Sequence, residues 1–306
     1  MTQITRDGIS RIHEQIAGHV RPTPVIEAAG AMLKLECLQH AGSFKPRGAF
    51  ANILTRQVPA AGLVAASGGN HGAAVAYAAA RMGHRAKIFV PEISSPAKIA
   101  LIRRLGGDVV VTGAEYAEAL AASERYREEA GAMTIHAYDA TETIAGQGSV
   151  GLEFEAQADL DTVLVAVGGG GLIGGIAAWY AGRVKVVAVE PDTSCCLHAA
   201  LAAGAPVDVQ VGGVAADSLG ARSLGNLAFD IARAHVAESV LVTDEAISQA
   251  QIWCWHHLNL AVEPGGATAL SALLSGRYQP RSGERVGVVM CGSNVDLARL
   301  GAAAVV

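Results

Sequence analysis

The sequence predicts an α/β protein made of two open parallel-sheet units, and three observations carry that expectation. From about residue 62 short β-branched runs alternate with helical patterns, as parallel strands joined by crossover helices do. A second alternation of the same kind begins at "DTVLVAV". At 306 residues the chain is long enough for one large domain or two α/β domains.

Taken in order, the opening "MTQITRDGISRIHEQIAGHV" is an amphipathic pattern with no export signal. "GLVAAS" predicts a strand and "NHGAAVAYAAARMG" the helix after it. "AKIFV" and "SSPAKIALIRRLGG" repeat the pair, with Ser94 or Ser95 able to cap and Pro96 suited to the first turn. "DVVVTG" and "AEYAEALAASERYREEAGA" form the third pair, and "MTIHAY" closes this unit. The second, larger unit runs through "DTVLVAVGGGGLIGGIAAWYAG", "VKVVAVEP", "SVLVTDEAI", a long helix in "ISQAQIWCWHHLNLAV" and a last strand in "RVGVVMCGS". Residues 204–223 have no clear period and are expected to be a loop region near the site.

Composition narrows the function. The chain has 23 basic and 28 acidic residues with no block of like charge, which argues against nucleic acid or an anionic membrane as partner. Its apolar residues never gather into a membrane-length run. A small-molecule partner and a cytoplasmic location are expected. The cysteines Cys37, Cys195, Cys196, Cys254 and Cys291 have irregular spacing without a CxxC pair, which fits neither a disulfide framework nor a zinc site.

Three motifs carry chemistry. Four glycines, Gly168, Gly169, Gly170 and Gly171, follow an apolar strand and open a helix. Each costs roughly 0.5–1 kcal/mol relative to alanine, and a tight turn needs only one or two. Backbone N–H groups approaching an anion, usually phosphate, at a helix N-terminus would account for the run. In the second motif, Ser67, Gly68, Gly69, Asn70 and His71 form a turn at the start of an apolar helix. It suits a carboxylate, or else is a capped helix with Asn70 as the cap. The third is "HAGSFKPRGAF", where Lys45 lies between Phe44 and Pro46. An amine with an ordinary pKa near ~10.4 is a nucleophile at neutral pH only if desolvated or held as an imine, and a phosphate-bearing aldehyde would be its partner.

With "LKLECLQHAGSFKPRGA", "SGGNHG", "AGQGSVGLE", "VGGGGLIGGI" and "CGSNVDL" in this order, the chain resembles the fold-type II pyridoxal-phosphate enzymes of the serine/threonine dehydratase and serine racemase group. The resemblance spans about residues 20–300. It implies a tryptophan synthase β-like fold with pyridoxal 5'-phosphate in the cleft between two domains. The expected division is residues 51–139 for the small domain, and 1–50 with 140–306 for the large cofactor-binding one. By the resemblance, Lys45 is the Schiff-base lysine, Phe44 lies against the cofactor ring and Asn70 bonds the ring hydroxyl. Gly168, Gly169, Gly170 and Gly171 with Leu172 hold the phosphate. Ser67, Gly68, Asn70 and His71 take the substrate carboxylate, and Cys291 faces the pyridine nitrogen. A neutral thiol there does not keep that nitrogen protonated, which favours β-elimination. A homodimer is expected from the family alone.

The chain also departs from the pattern. Racemases of the group carry a serine where this chain has Gly68, so dehydration of L-threonine or L-serine is expected ahead of racemisation. Cys196 stands near an acidic metal ligand's position, leaving Glu190 the candidate ligand. Hard cations prefer oxygen, so a divalent cation is doubtful. Ala41 replaces a usual threonine. Glu263 either borders the cofactor or is a helix-start carboxylate. His256 and His257 lack the spacing to meet one metal. The end at Val306, after a final strand and helix, leads us to expect no regulatory domain. Alternatives within the chemistry are a 3-hydroxyaspartate dehydratase and a serine racemase; outside it stands a non-catalytic cofactor or nucleotide sensor.

Overall fold

Two sheets carry the fold in the computed structural model, which describes residues 4–297. The chain enters through α1 (Arg6–Ile16) and an antiparallel hairpin of β1 (Val25–Ala28) and β2 (Ala31–Lys34), and starts α2 (Pro46–Thr55) just after Lys45. It then builds the small sheet through β3 (Leu63–Ala66), α3 (Asn70–Arg81), β4 (Ala86–Val90), α4 (Pro96–Arg104), β5 (Asp108–Val111), α5 (Tyr116–Ala130) and β6 (Met133–Thr134). The return path is α6 (Thr141–Gln157), β7 (Thr162–Ala166), α7 (Gly171–Tyr180), β8 (Lys185–Pro191), α8 (Cys196–Ala203) and the single turn α9 (Ala216–Leu219). Last come α10 (Asn226–His235), β9 (Val236–Val242), α11 (Asp244–Leu258), α12 (Pro264–Leu274) and β10 (Val286–Val289).

The small sheet has the order β5-β4-β3-β6 and is parallel throughout. The large sheet runs β1-β2-β10-β7-β8-β9, parallel except at the hairpin. Its central strands β7 and β10 are buried at every position, which is why they read as unbroken apolar runs instead of alternating. Among the described residues no helix is long and apolar enough to cross a membrane.

Several local expectations need correction. Gly69, not Asn70, is the N-cap of α3, and Asn70 is its first helical residue, with its side chain engaged elsewhere. Ser95 takes the N-cap of α4, but no side chain makes a capping bond there; the fixed φ of Pro96 sets that start. The strand expected in "MTIHAY" shrinks to two residues, and the long helix in the second unit ends at Leu258, where Asn259 turns left-handed at φ 53°. Residues 204–223 are mostly loop, as expected, with α9 inside them. The expected C-terminal helix lies outside the described residues.

Helix α6 had no clear periodic signal because it is buried along most of its length, and an all-round buried helix has no polar stripe to mark its period. It packs on α7 where Gly148 and Gly175 meet: a Cβ on Gly175 would press on Gly148 N and Ile144 O.

Candidate active site

Lys45 occupies the N-cap position of α2, in helical conformation immediately before Pro46. Its Nζ donates to the Ala137 carbonyl at 2.8 Å and lies 5.2 Å from the Phe44 ring centroid. The half-buried residue lines a pocket. That burial lowers its pKa to about 8, against the opposing pull of Cys291 and Glu263. A substantial neutral fraction near neutral pH suits a base or nucleophile.

The glycine run forms the facing wall. Gly170, at φ 94°, is the N-cap of α7, and Gly171 begins the helix. A Cβ on Gly169 would collide with the Tyr138 ring, and one on Gly171 would come within 2.9 Å of the Tyr138 backbone. Tyr138 therefore leaves room for hydrogen only at both positions. The first N–H groups of a helix have no partner within it, so this turn can take a phosphate. Leu172, Phe44, Asn70 and Cys291 line the same pocket, joined by Ser218, Leu219 and Glu263.

Ser67, Gly68 and His71, unlike Asn70, do not line this pocket. Ser67 Oγ accepts from Gly69 N at 3.2 Å. The His71 ring is buried, its Nε2 2.9 Å from the Ile135 carbonyl; burial, then Lys45, pushes its pKa down to about 3. Its ring is committed, and the turn can offer a carboxylate its backbone N–H groups. The space a Gly68 Cβ would fill holds the Ser94 hydroxyl.

Asn70 makes two side-chain bonds, Nδ2 donating to Glu263 Oε1 at 2.5 Å and Oδ1 accepting from Asn294 Nδ2 at 2.7 Å. Glu263 is the N-cap of α12 but makes no capping bond, so it is a pocket residue. Burial raises its pKa to about 7, and its Oε2 has no partner among the described residues. Cys291 Sγ donates to the Gly265 carbonyl at 3.2 Å, and burial pushes its thiol pKa up, so it stays neutral.

Glu190, the candidate metal ligand, has another task. Both carboxylate oxygens accept backbone N–H bonds at 2.8 Å, from Leu197 and His198 in the first turn of α8. Cys196 Sγ donates to the Gly168 carbonyl at 3.1 Å and ties α8 to the glycine turn. Among the described residues no group of three or more His, Cys, Asp or Glu side chains could hold a metal ion. His257 bonds the Trp253 carbonyl and stacks on its ring. Sequence reasoning missed Tyr138, Ser218, Leu219 and Asn294. No local pattern marks them, although Asn294 lies in the quoted "CGSNVDL" motif.

The cradle that admits no Cβ, the enclosed lysine amine and the neutral thiol together fit a phosphorylated pyridine aldehyde. Residues 16–292 match the family described as pyridoxal-phosphate dependent enzyme. The chain belongs to that family. This pyridoxal-phosphate enzyme is 36% identical over 305 residues to phenylserine dehydratase from Ralstonia pickettii, covering 95% of this chain and 93% of the relative. It is 36% identical over 304 residues to L-threonine ammonia-lyase from Geobacter sulfurreducens, covering 94% of this chain and 75% of that one. Its structure is similar to that of maize serine racemase, with a TM-score of 0.92 and 33% identity over 99% of this chain and 97% of the other. Pyridoxal 5'-phosphate is its cofactor.

Proposed function

We propose that this enzyme is an ammonia-lyase that eliminates the β-hydroxyl of L-threonine or L-serine. Loss of the Cα proton and of hydroxide, taken up as water, leaves an enamine that water hydrolyses to a 2-oxo acid and ammonia. The observation that carries this reading is Lys45, an enclosed amine with a pKa near 8 at the pocket wall.

Bound pyridoxal phosphate supplies the carbonyl carbon for a Schiff base and an electron sink conjugated to the substrate Cα. As a free amine at the pocket wall, Lys45 would take the substrate Cα proton on Nζ. The N–H groups at Gly168, Gly169, Gly170, Gly171 and Leu172 would hold the phosphate, and Phe44 would pack against the ring. The N–H groups at the start of α3, around Asn70 and His71, hold the substrate carboxylate. The Cys291 thiol, kept neutral by burial, would not hold the cofactor's ring nitrogen protonated, which would favour prompt loss of the β-group. Similarity to relatives named L-threonine ammonia-lyase and phenylserine dehydratase supports a β-hydroxy amino acid as substrate.

One observation favours serine racemisation as a second reading. Ser94 places a hydroxyl where a side chain on residue 68 would project, the position at which racemases of the group carry their serine.

The test is 2-oxo acid release from purified enzyme given L-threonine, L-serine, L-phenylserine and 3-hydroxyaspartate, with chiral analysis of recovered serine. L-threonine or L-serine should turn over, and Lys45→Ala should lose at least about 10²–10⁴-fold while staying folded. D-serine accumulating faster than 2-oxo acid would give the second reading precedence. Turnover of neither serine nor threonine would refute both.

A further inference from the structure

We propose that Asn294 and Glu263 are positioning residues that lock Asn70 as a hydrogen-bond donor to the cofactor's ring oxygen, so that this oxygen is held as an anion. The polarity starts at a backbone carbonyl, which can only accept. Ala41 sits in the left-handed region at φ 57°, and its carbonyl receives a hydrogen bond from Asn294 Nδ2 at 2.8 Å. That bond decides which end of the Asn294 amide is nitrogen. The second hydrogen on Nδ2 reaches Asn70 at 2.7 Å. The Asn70 atom that meets it must then be oxygen.

Asn70 consequently turns its nitrogen the other way. One Nδ2 hydrogen goes to Glu263 Oε1 at 2.5 Å. The other has no partner among the described residues, and Asn70 lines the pocket. Flipping this amide would set nitrogen against the Asn294 nitrogen and lose that bond, and would also set oxygen against the Glu263 carboxyl, losing a second bond when that carboxyl is ionised. Glu263 is 3% exposed and cannot swing out to accommodate the flip. It is admitted only because residue 292 is glycine, whose Cβ would occupy the carboxyl's place.

The groups facing Glu263 are Lys45 on α2, Lys98 on α4, Asp217 on α9 and the Cys291 thiol. An ionised Glu263 can only accept from Asn70, whereas a neutral one could also donate, so the end of the lock that holds in either state is the Asn294 contact, fixed by the Ala41 carbonyl. Toward the cofactor Asn70 offers N–H and nothing else. A ring hydroxyl would find no acceptor there, whereas a ring oxyanion gains a charge-assisted bond.

The inference rests on the proposed ring orientation with Asn70 against that oxygen, and the experiment separates the two. The near-ultraviolet and visible absorption of the holoenzymes is recorded for wild type, Asn294→Asp, Asn294→Ala, Glu263→Gln and Asn70→Ala. Wild type should show the long-wavelength band of the tautomer with an ionised ring oxygen. Asn294→Asp carries an acceptor in place of the donor, so Asn70 flips and the absorption moves to the shorter-wavelength band of the protonated-oxygen tautomer. Asn294→Ala frees the amide and should show both bands. Glu263→Gln can still accept from Asn70 and should keep the wild-type band. A residue that only supported the fold would change thermal stability or cofactor affinity without changing the band ratio. Wild-type spectra in both Asn294 variants, with a shifted band in Asn70→Ala, would overturn the lock alone. An unmoved band in Asn70→Ala would overturn the ring orientation beneath it.

Discussion

At the residue scale the pocket sets two titrating groups against each other. Burial lowers Lys45 to about 8 and raises Glu263 to about 7, so each is pushed toward its neutral form. Glu263 has a folded pKa above its ordinary value of 4.5. The stability it contributes is therefore fully present below the ordinary value and is lost as pH rises through about 7. Replacing it with glutamine removes that dependence. Urea unfolding of the apoproteins at about pH 5 and about pH 8 should show Glu263→Gln gaining on wild type by up to about 3 kcal/mol at the higher pH. An equal difference at both would show that Glu263 does not titrate between them. Lys45 and the glycine run were legible in the sequence because a lysine beside Gly, Phe and Pro and a run of four glycines are both costly without a ligand. Glu263 and Asn294 were not legible as partners of Asn70, because the three meet only through contacts more than a hundred residues apart.

At the element scale, what holds α2 in place is a buried ionic network one turn from Lys45. Arg47 donates to both oxygens of Glu36 at 2.7 and 2.8 Å and to both of Glu153 at the same distances, and adds a bond to Ser149. Lys34 also donates to Glu153, at 2.7 Å. Two cations balance two carboxylates, and all four residues are buried. The network pins the start of α2 to the chain after β2 and to the middle of α6, and so fixes where Lys45 emerges. Arg47→Met leaves both carboxylates buried with one cation between them, a loss of about 3–5 kcal/mol. The measurement is the urea midpoint at unchanged slope, and a shift under about 1 kcal/mol would mean that water replaces the guanidinium. Among the elements, those in the strand-helix alternation were readable, and those packed on all sides, such as α6, were not.

At the scale of the whole molecule, Lys98 of α4 and Asp217 of α9 pair at 2.5 Å and join the small-sheet unit to the pocket wall next to Ser218. Asp217 is largely exposed and Lys98 is not, with side chains 69% and 14% accessible, so the pair contributes at most about 1 kcal/mol to stability. Its effect should lie in holding the two sides of the mouth together. Wild-type KM is expected to depend on salt; Asp217→Asn should leave the unfolding midpoint nearly unchanged, raise KM at low salt and abolish that dependence. A variant with wild-type KM at every salt concentration would assign the pair to the surface alone.

By itself the sequence determined the α/β class, the alternating strands and helices, the lysine and the glycine cradle. Each of these is a local matter of period, backbone freedom or the cost of an unusual residue. Only the tertiary structure decided that Glu190 serves the start of α8, that the His71 ring is spent on a carbonyl, and that Tyr138 closes over the glycines. It also decided that a backbone carbonyl at Ala41 orients Asn70 through Asn294. The physical reason is that a hydrogen bond's direction depends on what each partner is already bonded to, and those partners come together only when the chain has folded.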